Sequence, residues 1–216
     1  MRLLAAHLAT SLVALSPLNE ARMKTSDVDI LIVPGWQDSG PDHWQSRWER
    51  SLKTARRVIQ DDWDNPHVEA RGDRIAKFAG GATQPVVIVA HSLGVPAVVY
   101  AADKLKAKGV IGAFLVAPAD VEFAHFWPDT GGERWPPQQG NGGFARMPDM
   151  RLLFPGQLIV GNNDLYCSYA RAEKLAGQWG ATITDAGETG HLNVASGHGP
   201  WPEGLLQFGK FLRELG

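Results

Sequence analysis

Short apolar runs rich in β-branched residues alternate along the chain with longer amphipathic stretches. The apolar runs predict strands at residues 28–34, 85–91, 110–117, 157–161 and 181–185, with a weaker strand near 57–60. Helical spacing of apolar residues predicts helices around residues 43–53, 68–78, 95–108, 169–179 and 205–215. Strands that alternate with helices are typical of a parallel sheet whose strands are connected by crossover helices.

Several of the predicted strands are continuously apolar. Parallel sheets covered on both faces contain such strands, whereas a half-exposed antiparallel strand alternates apolar and polar residues. We therefore expect an α/β fold, a three-layer αβα sandwich with a mostly parallel sheet of about six strands. Because no repeat or linker interrupts the pattern, residues 23–216 are predicted to form one domain.

Two segments depart from the alternation. Residues 1–22 combine an early Arg with an apolar run, and a second methionine, Met23, stands just before the first predicted strand. We interpret this segment as a leader: a signal peptide, a disordered leader, or sequence upstream of a misplaced start. Residues 120–155 are crowded with Gly and Pro and too long for a simple connection, so they form either a cap or a surface excursion.

Composition limits the function classes. The 216 residues are 44% hydrophobic and 20% charged with a formal net charge of -2, which is typical of a globular protein. Nucleic-acid binders usually carry a basic excess, so no nucleic-acid partner is expected. One cysteine, Cys167, cannot form an internal disulfide or a thiolate metal site. No apolar stretch approaches the roughly 18 residues of a membrane span, so no membrane partner is expected either.

The segment Ala90-His91-Ser92-Leu93-Gly94 joins an apolar strand directly to a helical pattern. A serine on such a turn, with small residues two positions away on each side, is the arrangement of a nucleophile elbow. The turn would present the Ser92 hydroxyl at the C-terminal edge of the sheet, with the Leu93 N–H placed to stabilise an oxyanion. The alternative is an ordinary loop serine. We expect a structural role for the His91 ring, because adjacent residues in a tight turn point in different directions.

A serine nucleophile needs a base, and the base needs a carboxylate that fixes its tautomer. Asp164 and His191 each follow a predicted strand, so both should reach the edge of the sheet where Ser92 lies. We predict Ser92 as nucleophile, His191 as general base and Asp164 as the orienting acid. The alternatives are His198 as base and, for Asp164, a solvated turn or a helix N-cap. Activity should fall on acidification, because His191 must be neutral to accept a proton.

The loop after the first strand supplies candidates for contact with substrate. The Trp36 N–H is predicted to be the second oxyanion donor beside that of Leu93, and simple packing is the alternative for Trp36. Trp36 and Gln37 are predicted to bind substrate. His43 either faces the site or, as we favour, holds the loop at 34–40.

Two other features are interpreted as structural. The acidic cluster of Asp61, Asp62 and Asp64 has no metal-ligand spacing, so we expect a loop that anchors an aromatic residue and no metal site. Cys167 either lines the cleft or is an inert buried thiol.

These motifs resemble those of the small serine hydrolases similar to retinoblastoma-binding protein nine, within the α/β-hydrolase superfamily. The matching stretches follow the family's order over about residues 30–212: IVPGW at 32–36, SGPDHW at 39–44, DWD at 62–64, AHSLG at 90–94, VAPAD at 116–120, ND at 163–164, GHLN at 190–193 and WP at 201–202. The resemblance implies a six-stranded, mostly parallel sheet, the triad named above, no cofactor and a cytoplasmic setting. It names no substrate.

The favoured function is hydrolysis of a small ester, thioester or amide through an acyl-enzyme on Ser92. A protein-interaction module on a hydrolase scaffold, with little or no turnover, is the alternative from another class, because a fold alone does not determine function. An acyltransferase would use the same acyl-enzyme with a different acceptor. Dehalogenase chemistry is disfavoured because it needs a carboxylate at the position of Ser92.

Overall fold

Six strands form one parallel sheet in the computed structural model, which describes residues 23–132 and 134–216. The strands are β1 (Asp29–Val33), β2 (Ala55–Arg57), β3 (Val86–Ser92), β4 (Val110–Pro118), β5 (Gly156–Val160) and β6 (Thr182–Asp185). Their order across the sheet is β2-β1-β3-β4-β5-β6, and all five neighbouring pairs are parallel. The carboxyl ends of β3, β5 and β6 therefore lie at the same edge.

The helices that connect the strands cover both faces of the sheet. They are α1 (Trp44–Ser51), α2 (Val68–Gly80), α3 (Gly94–Tyr100), α4 (Ala102–Lys106), α5 (Tyr169–Trp179) and α6 (Pro202–Leu215). Short 3₁₀ turns occupy Thr25–Asp27, Val121–Phe126 and Val194–Ser196. None of the helices in the described part of the chain has the length and apolar character needed to cross a bilayer.

Alternate strand residues enter two separate cores. In β3, Val87 and Val89 pack toward the face covered by α1 and α6, where Trp44 is fully buried. Ile88 and Ala90 pack toward the face covered by α2, α3, α4 and α5. Burying each large aliphatic side chain contributes about 1.5 to 3 kcal/mol, so the continuously apolar strands stabilise the sheet from both sides. The expected three-layer αβα sandwich is confirmed.

Three predicted elements have different bounds in the structure. The weak strand expected at 57–60 is β2, Ala55–Arg57, and its last residue pairs with Ile32, one residue before the end of β1. Ile59, which suggested a strand, is exposed. The helix expected at 95–108 is divided into α3 and α4 at Ala101, where φ is -90° and ψ is 7°. The last helix begins earlier than expected, with Pro202 in its first turn, a position where proline needs no N–H partner.

The Gly- and Pro-rich segment at 120–155 has two different parts. Its first part, including Trp127 and Trp135, borders the cavity next to Ser92. Farther along, Phe144 and Phe154 are buried in the core beside α2 and α5. The segment therefore forms one wall of the cavity, as a cap would, but its later part packs in the core, which neither alternative included. The expected leader at 1–22 lies outside the described residues.

Candidate active site

Ser92 lies on a strained turn at the end of β3. Its φ is 55°, a left-handed conformation that costs a non-glycine residue about 1 to 3 kcal/mol. α3 begins two residues later at Gly94, where a Cβ atom would lie 2.5 Å from the Val33 carbonyl oxygen. Only a glycine permits α3 to approach β1 this closely, which explains the small residue two positions after the serine.

The structure brings the side chains of Ser92, His191 and Asp164 together. Ser92 Oγ lies 3.0 Å from His191 Nε2, and His191 Nδ1 lies 2.9 Å from Asp164 Oδ2 and 3.1 Å from Oδ1. The Asp164 side chain is fully buried and that of His191 is 7% exposed. A carboxylate at Nδ1 selects the tautomer with a proton on Nδ1, which leaves the Nε2 lone pair to accept the serine proton.

The loop after β5 holds Asp164 at this edge. Asp164 Oδ1 accepts a hydrogen bond from the Tyr166 N–H at 2.8 Å, and the Asp164 N–H donates to the Gly161 carbonyl. The Tyr166 ring lies over His191, with the two ring centroids 4.1 Å apart. Asp164 therefore forms a local turn while its second oxygen faces the imidazole.

The loop of His191 is tied to two other elements. Asn163 Oδ1 accepts a hydrogen bond from the Gly190 N–H at 2.7 Å, which joins the base loop to the acid loop. Trp44 Nε1 on α1 donates to the Leu192 carbonyl at 2.9 Å. These bonds flank His191 on both sides and restrict the position of its ring.

Two further histidines lie beside the base. His91 Nε2 is 2.9 Å from the His191 carbonyl oxygen, and its ring centroid is 5.0 Å from that of His191, so His91 has the structural position expected for it. Burial lowers the pKa of His91 well below its ordinary value, with His43 and His191 as further causes. Burial, followed by Arg57 and His191, lowers the pKa of His43 to about 4. Both rings are neutral at pH 7.

His43 both faces the site and holds the loop at 34–40, but it holds the loop through its backbone and not through its ring. Its Nδ1 accepts a hydrogen bond from the Gln45 N–H and so caps α1. Its backbone N–H donates to the Gly40 carbonyl, which holds the loop, and its ring lines the cavity.

A cavity of about 420 Å³ opens next to Ser92. The Gly35–Ser39 loop lines one side, and Trp127, Trp135 and Tyr166 line the other. Polar side chains, among them Asp38 and Asn193, also line it, so its lining is mixed.

Trp36, Gln37 and Leu93, expected to contact the reacting group, all line this cavity. The Leu93 N–H lies at the N-terminus of α3, where the helix dipole favours negative charge. The Trp36 indole N–H donates to the Asp64 carbonyl at 2.8 Å, and the Gln37 N–H donates to the Trp63 carbonyl at 3.2 Å. The acidic segment thus anchors an aromatic residue, as its pattern suggested.

The other candidates lie away from the nucleophile. His198 contacts Ser196 Oγ at 3.4 Å and does not line the cavity. Asp62 accepts hydrogen bonds from the backbone N–H groups of Asp64 and Asn65 within its own loop, and Asp61 pairs with Arg74. Within residues 23–132 and 134–216, no His, Cys, Asp and Glu side chains cluster as a metal site would require.

Cys167 lies in a second cavity, of about 640 Å³, which shares Trp127 and Tyr166 with the first. Burial raises the pKa of its thiol, with Asp120 and Asp164 adding to the effect. The side chain is therefore a neutral, buried thiol that does not line the cavity of Ser92.

Arg71 is a residue near the site that the sequence interpretation missed. Its guanidinium is buried and donates to the Gly35 carbonyl at 3.1 Å. A signal was present, because Arg71 occupies the apolar face of α2 with Val68, Ile75 and Ala79. A charged residue within an apolar stripe at helical spacing predicts a buried charge with a specific task.

Comparisons with known proteins bear on the family and the fold. The model of a family described as serine hydrolase matches residues 30–210. No curated protein matches the chain.

Several solved structures share the fold. A YdeN-like hydrolase from Pectobacterium atrosepticum is 29% identical, with a TM-score of 0.73 over 88% of this chain and 94% of that one. The ydeN gene product from B. subtilis is 20% identical, with a TM-score of 0.57 over 83% of this chain and 97% of that one. Mouse alpha/beta hydrolase domain-containing protein 10 is 17% identical, with a TM-score of 0.56 over 75% and 81%.

Proposed function

The chain belongs to the serine hydrolase family, and we propose that it hydrolyses a small ester, thioester or amide through an acyl-enzyme on Ser92. The expected membership of the α/β-hydrolase superfamily and the expected class, a hydrolase, are confirmed. One observation carries the proposal: Ser92 Oγ, the His191 imidazole and the Asp164 carboxylate form a continuous hydrogen-bonded chain beside an open cavity.

In the first half of the reaction Ser92 takes the acyl group. Its Oγ attacks the carbonyl carbon while its proton passes to His191 Nε2, and the carbonyl electron pair moves onto oxygen. The buried Asp164 carboxylate stabilises the resulting imidazolium. His191 then gives the proton to the leaving oxygen, sulfur or nitrogen as its bond to carbon breaks, and the acyl group remains on Ser92.

In the second half water takes the place of the leaving group. Water attacks the acyl-enzyme while His191 accepts one of its protons. His191 returns that proton to Ser92 Oγ when the acid is released. The backbone N–H groups of Leu93 and Trp36 are the proposed donors to the oxyanion in both halves. Each such donor contributes about 10² to 10³ in turnover when it is aimed at the developing charge.

Substrate is proposed to bind in the 420 Å³ cavity against Trp36 and Gln37. Trp36 packs edge-on against Trp135 with ring centroids 5.4 Å apart, so its ring forms a fixed wall. Aromatic side chains share the lining with polar ones such as Asp38 and Arg134, which favours a small substrate that has both an apolar and a polar part.

The experiment is covalent labelling with a fluorophosphonate probe together with hydrolysis of p-nitrophenyl esters of graded chain length and aminoacyl amides. Wild-type protein should be labelled at one site per chain and should release p-nitrophenol. Ser92→Ala should lose both. Ser51→Ala is the matched control, because Ser51 on α1 does not line the cavity.

The contrary outcomes are distinct. Labelling or turnover that survives Ser92→Ala in folded protein would overturn Ser92 as nucleophile. Folded wild-type protein that is neither labelled nor active would favour the interaction module. Transfer of the acyl group to an added alcohol or amine in preference to water would indicate an acyltransferase.

A further inference from the structure

Arg71 is a buried cation behind the loop that carries one proposed oxyanion donor. Its side chain belongs to α2, and the residue is 2% exposed. Nη1 donates to the Gly35 carbonyl at 3.1 Å and approaches the Pro34 carbonyl at 3.5 Å. The guanidinium carbon lies 5.5 Å from the centroid of the Trp63 ring.

This burial is costly and is not offset by an ion pair. No carboxylate in the described ranges lies within salt-bridge distance of Arg71, and its Nε and Nη2 atoms are buried there without a hydrogen-bond partner. Burial lowers its pKa to about 10, against the opposing effect of Asp38 and Asp62, so the guanidinium is still charged at pH 7. A buried charge without a counterion destabilises a fold, so core packing alone does not explain Arg71.

The contact to Gly35 determines the direction of the next N–H group. The Gly35–Trp36 peptide bond is trans, and in a trans peptide the C=O and N–H bonds point in opposite directions. Gly35 and Trp36 line the cavity of Ser92, whereas Arg71 does not. A carbonyl drawn toward Arg71 therefore directs the Trp36 N–H toward the cavity.

The same peptide unit lies against the nucleophile. A Cβ atom on Gly35 would be 2.7 Å from Ser92 Cβ and 3.1 Å from Ser92 Oγ, so the Gly35 backbone touches the serine. The Trp36 N–H makes no hydrogen bond to any residue that the structure describes, whereas the neighbouring Gln37 N–H binds the Trp63 carbonyl. One N–H of the loop is thus used to anchor it, and the other is left for a ligand.

We propose that Arg71 is a positioning residue: its hydrogen bond to the Gly35 carbonyl aims the Trp36 N–H at the oxyanion formed on a substrate at Ser92. The proposal rests on the function proposed above. Arg71 contacts no substrate and acts only through the Gly35–Trp36 peptide, so removing its guanidinium should weaken stabilisation of the oxyanion without removing a binding contact.

The test compares p-nitrophenyl acetate with its thionoester, in which sulfur replaces the carbonyl oxygen and accepts hydrogen bonds poorly. Arg71→Met should lower kcat for the oxygen ester by about tenfold to a hundredfold, because one oxyanion donor is misdirected, with little change in KM. The thionoester rate should fall much less, so the ratio of the two rates should decrease. Arg71→Lys, which can still donate to Gly35, should restore part of the ratio.

Arg56→Met is the matched control. Arg56 on β2 also donates to a backbone carbonyl, that of Phe78, and does not line the cavity. Its variant should keep the wild-type ratio. If Arg71→Met does not give a cooperative thermal transition, Arg71→Gln, whose amide is too short to take the place of Nη1, should show the same decrease in the ratio.

The outcomes separate this proposal from the one on which it rests. If turnover requires Ser92 but Arg71→Met leaves the ratio of the two rates unchanged, only the role of Arg71 is overturned. Turnover that does not require Ser92 would overturn both proposals. A decreased ratio that Arg71→Lys partly restores would support both.

Discussion

The ring of His91 binds the main chain of His191, with Nε2 2.9 Å from the carbonyl oxygen, although the two residues are 100 positions apart. Because burial keeps His91 neutral, its ring proton can lie on Nε2, which then donates a hydrogen bond to this carbonyl. The residue before the proposed nucleophile thus holds the backbone of the proposed base. The strand end is therefore bound to His191 twice: Ser92 Oγ contacts the His191 ring, and the His91 ring contacts the His191 carbonyl.

We predict that His91→Phe lowers kcat by about tenfold to a hundredfold, because the His191 ring would no longer be held within hydrogen-bonding distance of Ser92. It should also lower the free energy of unfolding by about 1 to 3 kcal/mol, because the buried His191 carbonyl loses its partner. Steady-state kinetics and urea unfolding measure the two effects. His91→Gln keeps an amide donor and should lose less of both. Equal kcat in wild type and His91→Phe would contradict the positioning role.

We predict that Asp164→Asn lowers kcat by about 10³ to 10⁴, with little effect on KM, because an amide N–H facing Nδ1 favours the tautomer with its proton on Nε2. That tautomer cannot accept the proton of Ser92. Asp185→Asn, at the exposed end of β6, is the control and should retain wild-type kcat. His198→Gln should also retain it. A large loss in His198→Gln with activity preserved in Asp164→Asn would instead favour His198 as the base.

Gly35 and Gly40 offer a matched pair in one loop region. A Cβ on Gly35 would meet Ser92 Cβ at 2.7 Å, whereas a Cβ on Gly40 would have no atom within 4 Å. Gly35→Ala should therefore displace the serine or the loop and lower kcat/KM by at least about a hundredfold. Gly40→Ala should leave kcat/KM unchanged. Ester hydrolysis by the purified variants measures both, and wild-type activity in Gly35→Ala would show that this close approach is not required.

The site residues that follow strands were predictable because their position depends on the topology of the sheet. Once the alternation indicates a parallel sheet, residues such as Asp164 and His191 that follow its strands must lie at one edge. The elbow was predictable because its small residues and its strand-turn-helix pattern are local. Each of these inferences needs only short-range sequence features and a general rule about parallel sheets.

Contacts between distant loops carried no such local signal. Nothing around Asn163 indicates that its side chain binds the Gly190 N–H, because that bond depends on the relative height of two loops above the sheet. The bounds of β2 depended on its register with β1, and apolar Ile59 suggested a longer strand. Arg71 was visible as a charge in an apolar stripe, but its target at Gly35 depends on how α2 packs on the loop.

Burial of His43 should make the folded protein less stable at low pH. The pKa of His43 is lowered to about 4, mainly by burial and then by Arg57 and His191, whereas an unfolded histidine titrates near 6.5. As the pH falls through this interval the unfolded chain takes up a proton that the folded chain does not bind. The stabilisation is therefore complete above about pH 6.5 and is lost progressively down to about pH 4.

His43→Asn should reduce this loss by up to about 3 kcal/mol of the free energy of unfolding, because asparagine caps a helix but does not titrate. Urea unfolding between pH 4 and 7 measures the dependence. His67→Asn, at the exposed N-cap of α2, is the matched control and should keep the wild-type dependence. Buried His91 contributes to the slope in all three proteins, so some dependence should remain in His43→Asn. The same slope in His43→Asn and wild type would show that His43 is not a source of the acid lability.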